Sequence, residues 1–257
     1  MILLITGSTG IAAATAKLAA ASGASIFVVS NDEASCEILV NEIKASGGSC
    51  EYFAGDLIEE NTAIEAVKKC AQRYQRIDAL FNVAGISGRR FGDGAIHDCT
   101  SDGWDITLNT NVKSVFLMCR ETIKQMLEQE IDEAGLRGTI LNASSVLAFS
   151  PEPKNFASHA YAASKGAIIS LSQSMAAYYA PHKIRINVIA PALIRTPMSQ
   201  RAQENPTILE FIKTKQPLVE DLIEAEEVAK AALFLLTDAS RNITGDVLKI
   251  DGGWSMS

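Results

Sequence analysis

The chain has 257 residues, of which 47% are hydrophobic and 21% charged, and it carries a formal net charge of −7. That size and composition suit a well-packed α/β domain with no disordered tract. The acidic balance, with no basic run, argues against nucleic acid or an anionic membrane surface as partner. No stretch approaches ~18 uninterrupted apolar residues, so no transmembrane helix is expected.

Short apolar, β-branched runs recur along the chain: "ILLIT" (2–6), "SIFVVS" (25–30), "CEYFAG" (50–55), "IDALFNVAG" (77–85), "GTILNAS" (138–144), "IRINVIAP" (184–191) and "DVLKID" (246–251). Between them lie segments with helical spacing at 11–22, 33–46, 59–74, 103–129, 158–180 and 226–237. Strands alternating with helices imply a parallel sheet covered on both faces. No Pro/Gly/Ser linker divides the chain, so the expected fold is one α/β domain spanning 1–257, a Rossmann-type doubly wound parallel sheet of seven strands. The irregular, polar inserts at 86–101 and 196–225 follow the fourth and sixth strands. Ligands of open α/β sheets bind outside the carboxyl ends of the strands, which makes these inserts the candidate substrate loops.

The first strand runs directly into Thr6-Gly7-Ser8-Thr9-Gly10, ahead of an alanine-rich helix. Gly7 permits a sharp turn, and Gly10 lets backbone approach a pyrophosphate lying at the helix N-terminus. A strand-to-helix turn that binds nothing has the same look, so later segments must decide.

Two Tyr-x-x-x-Lys pairs occur, Tyr161/Lys165 and Tyr179/Lys183. Spacing of one helical turn puts both members of a pair on one face. Pro181 interrupts the second pair, leaving only the first as a site. A phenol of pKa near ~10 acts as a base at neutral pH only if lowered by roughly three units, about 4 kcal/mol. An ammonium ~4 Å away at an effective dielectric of ~20 supplies about that much. Ser145, at the carboxyl end of the fifth strand, can hydrogen-bond the same substrate oxygen, and a nicotinamide would exchange hydride with the adjacent carbon. Ser144 and Ser145 lack the Gly-x-Ser-x-Gly elbow of a serine hydrolase. Five cysteines without a Cys-x-x-Cys pair, and three scattered histidines (His97, His159, His182), point to free thiols in a reducing cytoplasm and to no metal site.

With these residues the chain resembles the short-chain dehydrogenase/reductase family, in its branch of about 250 residues. The likeness covers the whole length: "TGSTGIA" (6–12), Asp56 in "AGDL", "NVAG" (82–85), Asn111 in "NTNVKSVF", "NASSV" (142–146), "YAASK" (161–165), "INVIAPALIRTP" (186–197) and "ITGDVLKIDGG" (243–253). The resemblance implies Tyr161 as general acid/base and Lys165 lowering its pKa while holding the nicotinamide ribose. Ser145 would orient the substrate carbonyl or hydroxyl, and Asn111 would hold a proton-relaying water. It also implies that Gly7, Ser8, Thr9, Gly10 and Ile11 cradle the pyrophosphate. Asp56 and Leu57 would face the adenine, and Asn82, Ala84 and Gly85 the adenosine ribose, while Pro191, Ile194 and Thr196 would fix the carboxamide. Structural roles compete at three positions: Asn111 as a helix cap or kink, Asp56 as a helix N-cap, Thr196 as a loop N-cap.

Three departures stand out. The glycine turn is one residue shorter than this branch shows, Ala192 replaces the common glycine after Pro191, and "FSPEPKNFASHAY" carries about three extra residues between Ser145 and Tyr161. The second strand ends in Ser30, followed by Asn31, Asp32 and Glu33, so neither the aspartate that selects NAD nor the arginine that accommodates NADP is in place. With two carboxylates nearby and no basic residue in 7–13, NAD is favoured over NADP. The expected activity is interconversion of a secondary alcohol and a ketone; the alternative is a non-catalytic dinucleotide-binding sensor or scaffold. Residues 198–214 read as a mobile helical lid with Ile208, Leu209 and Phe211 facing the pocket. The resemblance further implies a homotetramer, with 103–129, 158–180 and the C-terminal "DGGWSMS" at interfaces.

Overall fold

A computed structural model describes residues 1–257. Nine strands form in chain order: β1 (Ile2–Thr6), β2 (Ser25–Ser30), β3 (Ser49–Ala54), β4 (Ala79–Asn82), β5 (Gly138–Ala143), β6 (Ile184–Pro191), β7 (Ile194–Arg195), β8 (Ile223–Glu224) and β9 (Val247–Ile250). The helices are α1 (Gly10–Ala21), α2 (Glu33–Ala45), α3 (Glu60–Tyr74), α4 (Ser101–Leu108), α5 (Ser114–Glu128), α6 (His159–Tyr179), α7 (Gln200–Gln203), α8 (Pro206–Lys215) and α9 (Ala225–Leu236). All seven anticipated strands form, each shifted by no more than a few residues at its ends. The two-residue β7 and β8 pair separately, beside the main sheet.

The main sheet is parallel throughout, in the order β3-β2-β1-β4-β5-β6-β9. The chain winds outward from β1 to β3, returns past β1 to β4, and then winds the other way. The strand order therefore reverses between β1 and β4, and the connections leaving their carboxyl ends diverge there, opening a crevice. Parallel strands buried on both faces need apolar runs, which explains the hydrophobic stretch of β1; β5 is buried along its whole length although it carries Thr139 and Asn142. One core lies under α1, α2 and α9 and holds Leu3, Ile26, Val28 and Phe81. The other lies under α3, α5 and α6 and holds Leu4, Phe27, Leu80 and Ile140.

The helix anticipated over 103–129 is one continuous rod with a π-helical turn at Asn109–Lys113 between α4 and α5. Nothing in side-chain periodicity announces such a widened turn. At the far end of α5, Gln129 joins two strand entrances. Its Oε1 accepts from the Ile77 amide at 2.7 Å, and its Nε2 donates to the carbonyls of Ile77 (3.0 Å) and Arg137 (3.1 Å). Gln129→Leu strips three buried backbone groups of their partners, so the urea midpoint should fall by the equivalent of about 1–3 kcal/mol. Equilibrium unfolding followed by circular dichroism checks this.

Candidate active site

The carboxyl end of β5 and the first turns of α6 are stitched together. Ser144 Oγ donates to the Lys165 carbonyl at 2.8 Å, and Lys165 Nζ donates to the Ala143 carbonyl at 2.9 Å. Ser145 begins the 3₁₀ turn Val146–Ala148, where its Oγ accepts from the Leu147 amide at 3.2 Å. The same hydroxyl is near enough to the Tyr161 phenol to pull its pKa down. Ser145, Tyr161 and Lys165 thus come together as the sequence anticipates. Tyr179 and Lys183 do not: α6 ends at Tyr179, a 3₁₀ turn containing Pro181 follows, and Lys183 sits at φ +64°.

The electrostatics of the trio differ from the expectation. Lys165 lies above the face of the Tyr161 ring, 5.6 Å from its centroid, and is bonded to a carbonyl rather than to the phenol oxygen. Burial raises the phenol above its usual value, and the only opposing influence is the Ser145 hydroxyl. Burial also brings the Lys165 ammonium down to about 8. The ammonium is thus held by a backbone carbonyl and lies over the ring rather than at the phenol oxygen. In the protein as it stands, Tyr161 is a protonated donor at neutral pH.

Asn111 is fully buried inside the π turn. Its Oδ1 accepts from the Ile86 amide at 2.8 Å, while Nδ2 donates to the Ile86 carbonyl and to Ser164 Oγ, both at 3.0 Å. Ser164 in turn donates to the Tyr161 carbonyl at 2.7 Å. The side chain is not a helix cap; it clamps the loop after β4 against α6. Gly85 is the close approach that permits this, since a Cβ there would lie 2.9 Å from Asn111 Oδ1 and 3.6 Å from Lys165 Nζ.

The glycine turn has the features a pyrophosphate needs. Gly7 and Gly10 have φ of +90° and +54°. Thr9 provides no side-chain cap to α1, and no acidic residue occupies the first turn, so the leading amides have no competing acceptor. A Cβ on Gly10 would come within 3.0 Å of Thr196 Cγ2, so this turn and the segment after β6 already touch. Ser8 Oγ and Ser35 Oγ share a hydrogen bond at 2.5 Å, which ties the turn to α2. Ser30 is buried at the end of β2 and accepts from the Asp32 amide, while the Asp32 carboxylate caps α2 through the Ser35 amide at 3.2 Å. Asn31 is exposed beside them.

The Asn82 side chain turns into the core, donating to Asn142 Oδ1 at 2.9 Å and to Cys119 Sγ at 3.3 Å, so only its backbone can face a ligand. The amides of Val83 and Ala84 are bound by Thr6 Oγ1, a residue that sequence reasoning passed over. Asp56 is exposed and its Oδ1 accepts from the Ile58 amide; Glu59, not Asp56, is the N-cap of α3, and Leu57 packs against the core beneath. Pro191 closes β6, Ile194 is buried in β7, and Thr196 precedes a 3₁₀ turn at Pro197–Ser199. In the lid, Ile208 and Ile212 are buried with Trp254, Val146 and Ala202, and Phe211 meets the Trp254 ring edge-on, while Leu209 stands outside this cluster. An i,i+4 pair on a helix started by Pro206 selects that face. Trp254, from the "DGGWSMS" segment assigned to an interface, is 2% exposed and packs inside its own chain, with Nε1 donating to the Ser150 carbonyl.

Asp93 carries a role that no local pattern signals. Its two carboxylate oxygens accept from the amides of Ala160 (3.0 Å) and Tyr161 (2.9 Å), capping α6 from a loop 67 residues away in the sequence.

A parallel sheet with a phosphate-ready glycine turn beside a Ser-Tyr-Lys cluster defines an oxidoreductase of the dinucleotide-binding class. The family model described as enoyl-(acyl carrier protein) reductase matches residues 5–255. The chain is 33% identical over 253 residues to the 3-oxoacyl-[acyl-carrier-protein] reductase of Thermotoga maritima, covering 98% of this chain and 96% of that one. It is 32% identical over 256 residues to 2,5-dichloro-2,5-cyclohexadiene-1,4-diol dehydrogenase of Sphingobium indicum, covering 99% and 96%. Among solved structures, 3-ketoacyl-(acyl-carrier-protein) reductase from Brucella melitensis complexed with NADH superposes with a TM-score of 0.87 at 29% identity, over 99% of this chain and 98% of that chain. The protein belongs to the short-chain dehydrogenase/reductase family and is an oxidoreductase acting on CH–OH groups.

The lowered Lys165 has a consequence for stability. Its ordinary value is 10.5 and its folded value about 8, so between these the unfolded chain binds more protons and stability rises with pH. Lys165→Met lacks this dependence. The wild-type urea midpoint should therefore climb relative to Lys165→Met as pH increases from about 8 towards ~10.4 and run parallel to it below that window. Denaturation series of both proteins across that range provide the check.

Proposed function

We propose that the protein interconverts a secondary alcohol and a ketone, with Tyr161 exchanging the proton at the substrate oxygen. The observation that carries this reading is the pinning of Lys165 to the carboxyl end of β5, beside Ser145, with its ammonium over the Tyr161 ring one turn back along α6. A bound nicotinamide dinucleotide supplies or accepts the hydride at the substrate carbon. In the reducing direction, the ketone oxygen accepts hydrogen bonds from Ser145 Oγ and Tyr161 Oη. As hydride adds to the carbon, the Tyr161 proton passes to the oxygen that gains charge. Burial favours this role, because it keeps the phenol protonated until a developing alkoxide can take its proton. Asn111 acts by position, through Ile86 and Ser164, rather than by direct contact with the substrate.

In this reading the turn Gly7–Ile11 holds the pyrophosphate. Ser30 and Asn31 lie at the adenosine ribose, Asp56 and Leu57 at the adenine, and the backbone of 82–85 along the dinucleotide, while Pro191, Ile194 and Thr196 lie at the carboxamide. Tyr161 and Lys165 reach the nicotinamide ribose. Loops 86–101 and 196–225 shape the substrate pocket of a single-domain enzyme. NAD is the preferred cofactor: Ser30 ends β2, and the turn has no cation to meet a 2′-phosphate. The exposed Trp104, Ile106, Phe116 and Leu127 on α4 and α5 support association into a homotetramer, and five unpaired cysteines support a cytoplasmic setting.

Tyr161→Phe should lower turnover by about 10²–10⁴-fold while leaving NADH binding within a few-fold of wild type. Nicotinamide absorbance with a panel of ketones reads the first quantity, and fluorescence titration the second. Unchanged turnover would sink the mechanism, and a chain that binds NADH but reduces nothing would favour the sensor. Steady-state kcat/KM should be at least about tenfold higher with NADH than with NADPH, a gap of ~1.4 kcal/mol; the reverse ratio rejects the cofactor assignment.

A further inference from the structure

The connections that follow β4, β5 and β6 converge on one backbone oxygen. Arg89 Nη2 donates to the Asn155 carbonyl at 3.1 Å, and Arg201 Nη2 of α7 donates to the same oxygen at 2.9 Å. Asn155 lies in the lengthened loop between Ser145 and Tyr161, and that loop is held rigidly. The buried Glu152 carboxylate accepts from the amides of Lys154, Asn155 and Phe156 at 2.9, 2.6 and 3.2 Å. Arg201 also lies over the Phe156 ring, 5.8 Å from its centroid.

Two cations sharing one neutral acceptor repel each other, and neither has a counter-charge. Arg89 and Arg201 form no ion pair, unlike Arg76, Arg120 and Arg195 but like the other five arginines of the chain. The acid closest to Arg89 in its own loop, Asp93, has both oxygens committed to the α6 amides. Arg89 is half-buried; desolvation first, then the charge of Arg201, lowers its pKa against a smaller opposing pull from Asp93. Each guanidinium has five N–H donors. The hydrogen bond to Asn155 occupies one on each side, which leaves forks suited to a planar oxyanion.

The segments that carry the pair also make contacts at the reacting groups. Arg89 is four residues past Gly85, which touches Asn111 and approaches Lys165. The loop carrying Arg89 bonds the Tyr161 amide, and the segment carrying Arg201 begins at Thr196 against the glycine turn.

We propose that Arg89 and Arg201 form a carboxylate-binding subsite at the outer end of the substrate cleft, so that the substrate is an oxo acid or the corresponding hydroxy acid. This rests on the oxidoreductase reading above. The carboxylate bridges the two guanidinium groups and cancels their repulsion, and the far end of the substrate presents its carbonyl to Ser145 and Tyr161.

The test compares kcat/KM for straight-chain oxo acids, from 3-oxobutanoate to 7-oxooctanoate, with their methyl esters, in wild type, Arg89→Gln and Arg201→Gln. The best acid should exceed its ester by at least about tenfold in wild type, and each variant should remove most of that preference through KM while the ester changes by less than about twofold. Arg201 is exposed, so its variant keeps the test open if Arg89→Gln fails to fold. Equal use of acid and ester by wild type, or a parallel loss of both in the variants, overturns the subsite. So does a preference for dihydroxyacetone phosphate over dihydroxyacetone with none for the acids. If no ketone is reduced, the oxidoreductase reading fails separately, and calorimetry with the same oxo acids decides. Saturable binding that is lost in Arg201→Gln supports the subsite, and absent or unaltered binding rejects it.

Discussion

A lysine ammonium buried against the last carbonyl of β5 sets the geometry on which the site depends. Nothing about an isolated Tyr-x-x-x-Lys helix would hold the amine there, because desolvation pushes it towards its neutral form. The cost is borne by reciprocal bonding: Lys165 donates to Ala143, Ser144 donates back to the Lys165 carbonyl, and Asp93 fixes the helix start from the opposite side. With both ends pinned, the Tyr161 phenol meets Ser145 at a strand terminus whose own position the sheet determines. The consequence is a donor kept protonated in a desolvated setting, beside an amine that changes charge near pH 8.

The interior is arranged to keep those strand ends level. A polar chain runs from Cys119 on α5 through Asn82 and Asn142 to Ser172 on α6, crossing β4 and β5 at the residues that face each other in the register. Each link needs its partner within hydrogen-bonding distance, so this chain specifies which residues align rather than merely how tightly they pack. Thr6 performs the same service between β1 and the backbone after β4. The shortened glycine turn fits into this frame because Gly10 meets Thr196 directly, so that two walls of the crevice are in contact and one missing residue leaves no gap.

The lid follows from a different balance. Ile208, Ile212 and Phe211 gain cover from Trp254, whose indole N–H is satisfied by the Ser150 carbonyl. Five buried residues make a small satellite core that stands apart from the two main ones, so α8 is held by far less apolar contact than α5 or α6. Segments held in this way open at low cost, which suits a cover over a substrate cleft. Trp254 of the C-terminal segment is thereby buried within its own chain.

How much was legible follows from the range of each interaction. Strand and helix identities, the doubly wound order and the choice of Tyr161 over Tyr179 are carried by periodicity, apolar runs and one proline, all of which act within a few residues. The amino-acid sequence by itself determined the fold class and the Ser145, Tyr161 and Lys165 constellation. Only the tertiary structure decided that Asn111 is a clamp in a π turn, that Asn82 faces inward, that Asp93 caps α6, and that two arginines 112 positions apart share one carbonyl. It also decided that the Lys165 ammonium is bound to the Ala143 carbonyl and lies over the Tyr161 ring. Those contacts arise from residues brought together across the sheet, and no local pattern encodes them.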